Sequence, residues 1–139
     1  MSFQEKSAII MTAALTAVYG TYFAVVIRWL ANAPADDIVY QPLMVVATIP
    51  LAIFAAVSHI IIAIANPKAA DAYDERDRLI DLKGERVGGY VLAVGVFAGL
   101  VLTMFEVPYF YIANALLAGW VLAEIITGTT KVVLYRRGA

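Results

Sequence analysis

Two ionisable side chains interrupt long apolar runs in this chain: His59 in IFAAVSHIIIAIA and Glu124 in LLAGWVLAEIITG. A charge near the centre of a bilayer costs at least about 2.5 to 3.5 kcal/mol on insertion scales, so such a group needs a partner or water. His59 lies six residues before Ala65, and Glu124 seven before Lys131. At 1.5 Å per residue both sit about 10 Å inside their segments, a common depth that lets them pair. A carboxylate beside an imidazole favours the protonated ring and brings its titration into the physiological range, which is the chemistry of a proton relay. The competing reading is a hydrogen bond that only ties two helices together. That reading is favoured, because a transport path shows several ionisable groups along its length. Asn114 in the last apolar run reads as interhelical glue, and Arg28 ends the first run.

Other chemistries lack residues. His59 is the sole histidine and there is no cysteine, so a metal site of three or four ligands is not expected, and haem ligation across a dimer is the one remote exception. No phosphate-binding glycine loop, nucleophile elbow or paired-carboxylate pattern is present, so neither an enzyme nor a cofactor is expected.

The elements that hold these residues follow from composition. Hydrophobic residues make up 63% of 139 positions, and the mean hydropathy is +0.82. A soluble globule of this size cannot hide that much apolar surface, so the partner of most of the chain is a lipid bilayer. Four continuous apolar stretches, 7–31, 42–65, 88–105 and 109–130, match the roughly 17 to 25 helical residues that cross a hydrocarbon core. Continuous runs favour helices over the alternating strands of a barrel. The expected fold is all-α, an integral membrane four-helix bundle in one domain, with its first span retained rather than cleaved as a signal sequence.

Basic residues orient it. Nine of the ten Lys and Arg flank the first span's start, the connection between the second and third spans, or the end of the fourth, with Arg28 the exception. Because Lys and Arg in short loops stay on the cytoplasmic side, both termini and the 66–87 connection are expected in the cytoplasm.

That connection holds DERDRLIDLKGER, nine charged residues in thirteen. Asn66-Pro67 ends the second helix. From about residue 71 the pattern turns helical, with Asp74 and Arg78 four apart and acidic residues at the start, where the helix dipole favours them. One rod from about 71 to 105 is expected, extending the third span into the cytoplasm. Five basic and six acidic residues lie between Asn66 and Val87, a balance that excludes a nucleic-acid surface. The segment is either a solvated helix or a docking site for a cytoplasmic protein through Leu79, Ile80 and Leu82.

Small residues mark expected contacts. Gly84, Gly88, Gly95 and Gly99 form one stripe on the rod, read as close packing within the bundle, with self-association into a homo-oligomer as the alternative. Ala13, Ala17, Gly20 and Ala24 on the first helix, and Thr48, Ala52, Ala55, His59 and Ala63 on the second, are expected to face inward. Pro50 is expected to kink the second helix.

The run AYDERDRLIDLKGERVGGYVLAVG resembles the signature of a family of small bacterial integral membrane proteins of unknown function, whose members carry a DERD-x-x-I segment just before a membrane helix. Asp74, Glu75, Arg76, Asp77 and Ile80 are the matching positions. The resemblance implies a four-span layout and the company of a small helix-turn-helix regulator, hence membrane sequestration of a transcription factor. It implies no activity. Two readings of function stand: a membrane regulator or adaptor that holds a cytoplasmic partner through residues 71–87, and a small channel, transporter or transporter subunit working through His59 and Glu124.

Overall fold

The computed structural model describes residues 3–65 and 75–137, with side chains at 3, 4, 6, 54, 55 and 58–65 left out of account. Four helices make up the described chain: α1, Phe3–Leu30; α2, Gln41–Ala65; α3, Glu75–Met104; and α4, Tyr109–Arg137. A 3-10 turn, Ala35–Asp37, lies between α1 and α2. Among the described residues three helices are long and apolar enough to cross a membrane, α1 over Ser7–Leu30, α3 and α4, while the described apolar stretch of α2 is Gln41–Ile53. Ile27, Val46, Val94, Phe97 and Met104 are all exposed, an outward apolar surface that lipid, not water, accommodates. The chain is an all-α membrane protein.

Local chemistry sets the helix ends. At the end of α1 the Asn32 side-chain amide donates to the Arg28 carbonyl at 2.6 Å, satisfying one of the carbonyls that a helix terminus leaves unpaired. Pro34 then precedes the 3-10 turn. Pro42 falls in the first turn of α2, where its missing N–H costs nothing. The α3–α4 connection closes by a left-handed cap. Glu106 has φ 53°, its N–H bonds Thr103 O at 3.1 Å, and Val107 N–H reaches back to Leu102 O at 3.4 Å. This is the paired 5→2 and 6→1 arrangement of a Schellman motif, followed by Pro108, which cannot continue the helix.

α3 and α4 form the closest pair, antiparallel and in a fixed register. A Cβ built on Gly95 would lie 2.6 Å from Gly119 Cα, and one on Gly119 would lie 2.7 Å from Gly95 Cα. The two backbones touch. On either side of this crossing Gly88 meets Thr127, Gly84 meets Lys131 and Gly99 meets Leu116. In lipid, where burial of apolar surface gives no net drive to helix association, such approach is what supplies dispersion contacts.

α1 packs on α4 with the opposite device over much of its length. Tyr19, Tyr22 and Val26 are buried, forming with Ile38, Tyr40, Phe110, Leu117 and Val121 the main apolar core. Tyr19 stands edge-on to Trp120 and Tyr40 edge-on to Phe110, the arrangement that ring quadrupoles favour. Because bulky rings fill this interface, the small residues of α1 turn outward. Ala13, Ala17, Gly20 and Ala24 are exposed, and a Cβ on Gly20 would meet nothing within 4 Å. This corrects the inward face expected for that stripe. On α2 Thr48 is half-buried and Ala52 exposed, whereas the side chains of Ala55, His59 and Ala63 lie outside the described set.

Overpacking a close contact costs about 1 to 3 kcal/mol, whereas an open helical glycine gains up to about 1 kcal/mol on becoming alanine. Gly95→Ala should therefore destabilise the protein, and Gly89→Ala, where a Cβ meets nothing within 4 Å, should be neutral or stabilising. Reversible unfolding in mixed micelles measures both, and equal shifts would contradict the backbone contact.

Candidate functional site

Two groups of residues could carry function: the charged start of α3, and the polar side chains among the apolar helices. In α3 the residues at 77, 80, 81 and 84 repeat at three, four and seven positions, one face of a helix. Ile80 is 1% exposed, Gly84 is buried, and Asp77 and Asp81 are half-buried. Lys131 of α4 lies across Gly84, and its Nζ sits 3.0 Å from Asp81 Oδ1 and 3.7 Å from Glu85 Oε1. One turn further out Arg76 Nη2 donates to Tyr135 O at 3.5 Å. The charged segment is thus docked along the last turns of α4.

Magnitudes rank these contacts. The Glu85–Lys131 contact, exposed on its Glu85 side, is worth up to about 1 kcal/mol, the partly buried Asp81–Lys131 pair offsets its own desolvation cost, and burial of an isoleucine is worth about 1.5 to 3 kcal/mol. Ile80 therefore does most to hold the segment, and Lys131 adds its contacts to Asp81 and Glu85 in the register that the Gly95–Gly119 crossing sets. What remains outward is mixed. Glu75, Arg76, Arg78, Leu79, Leu82, Lys83, Arg86 and Val87 are exposed, with Leu79 at 57% and Leu82 at 53%. Among the residues expected to meet a partner, Ile80 is buried on the face that carries Gly84 instead, and Asp74 lies outside the described residues.

The intramembrane polar groups separate. Asn114 accepts a hydrogen bond from Tyr22 OH at 2.8 Å and donates to Phe110 O at 2.8 Å, joining α1 to α4. Tyr19 OH likewise bonds Thr48 Oγ1 at 3.1 Å, joining α1 to α2. Arg28 is exposed at the end of α1, and Glu124 is exposed on α4. The expected pairing of His59 with Glu124 lies outside the described side chains. No group of three or more His, Cys, Asp or Glu among the described residues could hold a metal ion.

Several participants had no clear sequence signal. Glu5, 7% exposed, lies 3.5 Å from Arg136 Nε and ties the start of α1 to the end of α4. Gly119 and Gly128 of α4 receive Gly95 and Thr12 respectively. Glycines in an apolar helix could have flagged α4 as a close-packing partner, whereas Glu5 read only as a flanking charge. Comparison with protein-family models, with curated proteins and with solved structures finds no match to this chain.

If Ile80 holds the segment, Ile80→Ala should loosen it, since such truncations cost about 2 to 5 kcal/mol. Amide hydrogen exchange across 76–84 should then rise roughly tenfold or more, with smaller change for Asp81→Asn and none near residue 97. Exchange that rises equally along all of α3 would mean the docked segment has no separate hold.

Proposed function

We propose that this protein is a non-enzymatic membrane regulator or adaptor that engages a cytoplasmic protein through the charged segment at residues 71–87. The single observation that carries the reading is the division of that segment into two faces. Asp81 and Gly84 meet α4 and Ile80 is buried on the same helical face, while Leu79 and Leu82 stand exposed among Arg78, Lys83 and Arg86. Exposed leucines on a helix fixed to a support form a preorganised docking ridge, because the ordering cost of binding is already met by the intramolecular contacts. The interleaved charges around them set specificity and encounter rate more than affinity.

In this reading all four helices span a bacterial inner membrane with both termini cytoplasmic, in accord with the basic residues that cluster at one end of the bundle. The resemblance of residues 72–95 to a family with a DERD-x-x-I segment makes a small helix-turn-helix transcriptional regulator the partner of choice. A second reading, a small channel or transporter subunit working through His59 and Glu124, draws support from the exposure of Glu124 within an apolar helix.

A reporter fused after Asp36 should behave as periplasmic and one after Ala139 as cytoplasmic. With that topology established, in-cell crosslinking followed by quantitative mass spectrometry should recover one dominant soluble partner. Leu79→Ser combined with Leu82→Ser should lower its recovery at least tenfold at matched expression, because both leucines are exposed and neither holds the fold. Recovery unchanged by the double substitution would exclude the ridge as the docking site.

A further inference from the structure

A cleft of about 290 Å³ opens between α1 and α4 at the end of the bundle where Glu5 meets Arg136 and Arg76 meets Tyr135. Its walls differ. One side is formed by Ala8, Met11 and Leu15 of α1, with Ser7 and Thr12 among them, and the other by Glu124, Thr127 and Lys131 of α4, with Asp81 of α3 alongside. Glu124 and Lys131 are seven residues apart, so the cleft is about 10 Å deep between them at 1.5 Å per residue.

The charges in this cleft are unequal. Lys131 is already met by Asp81 at 3.0 Å and by Glu85 at 3.7 Å. Glu124 makes no ion pair among the described residues, and it lines the cleft. Thr127 donates its hydroxyl hydrogen to Ala123 O at 2.8 Å, which leaves its oxygen lone pairs as acceptors. An anion would meet carboxylates with the one local ammonium already engaged. A bare metal ion would want oxygen ligands on all sides, commonly six or more, and among the described residues no group of three or more His, Cys, Asp or Glu could hold one.

We infer that this cleft binds an organic ammonium ion, its cationic head at Glu124 and its apolar body against Ala8, Met11 and Leu15. The volume lies near the lower end of the roughly 300 to 1,000 Å³ typical of small-molecule sites, which selects an amine bearing one ring or a short branched chain. Phosphate-bearing headgroups are disfavoured by the same carboxylates that favour the amine. The site is independent of the docking ridge, since none of its walls includes Leu79 or Leu82.

The test is a titration of the full-length protein in detergent micelles with benzyltrimethylammonium, followed by the backbone amide shifts of Thr127 and Gly128. Saturable shifts are expected. Glu124→Gln, which keeps the side-chain shape, should weaken them at least tenfold. Ala8→Phe should do the same by filling the apolar wall without touching a charge, and Glu106→Gln, in the α3–α4 turn, should titrate as the parent does. Neopentylbenzene, the uncharged carbon analogue of the probe, should give no saturable shift at these amides. Equal affinity in Glu124→Gln, equal response to the neutral analogue, or the same shifts from sodium chloride alone would each overturn the inference.

Discussion

The contact between Gly95 and Gly119 is the constraint from which the rest of the molecule follows. Backbone against backbone, with no room for a Cβ on either side, it fixes where α3 and α4 cross and therefore which residues meet above and below. Gly88 must then face Thr127, and Gly84 must face Lys131. That register carries past the apolar region and places Asp81 and Glu85 around the Lys131 ammonium. A small-residue contact between two apolar stretches thus determines how the charged segment is presented.

The two interfaces of α4 use opposite means for one end. Toward α3 it presents glycine and threonine, so dispersion between close backbones holds the pair. Toward α1 it meets Tyr19, Tyr22 and Val26 through much of its length, where ring edges fill a wider gap and Tyr22 and Asn114 add a hydrogen bond. Near the chain ends this second interface changes again. Gly128 receives Thr12, Glu5 pairs with Arg136, and the space beside Glu124 is left as a cleft. Close packing on one side of α4 and looser packing on the other is what allows a docked charged segment and an open cleft to coexist at one end of the bundle.

Much of this was legible in the sequence, for physical reasons that differ by feature. The helices follow from apolar runs too long to be anything else in lipid, and the glycine stripe of α3 from spacing that keeps Gly84, Gly88, Gly95 and Gly99 on one face. The direction of the α1 stripe was not legible. Ala13, Ala17, Gly20 and Ala24 have the same spacing logic as the α3 glycines, yet Tyr19 and Tyr22 lie on another face of the same helix and take the interface. Small residues permit close approach, whereas large rings gain more by burial once a wider gap exists, and spacing alone does not say which face wins. Ile80 shows the same limit: the sequence grouped it with Leu79 and Leu82 as one apolar patch, and the register of α4 divides them.

The charged start of α3 is held against α4 in the same register that joins Gly95 to Gly119. The chain has no cysteine, so a pair introduced at Leu79 and Leu122, both exposed, can be spin-labelled without background. Double electron–electron resonance in lipid nanodiscs then reads the distance between the two labels directly. The docked arrangement predicts a single narrow distribution that broadens when Ile80 is replaced by alanine. A broad distribution in the otherwise unaltered protein, unaffected by that replacement, would contradict it.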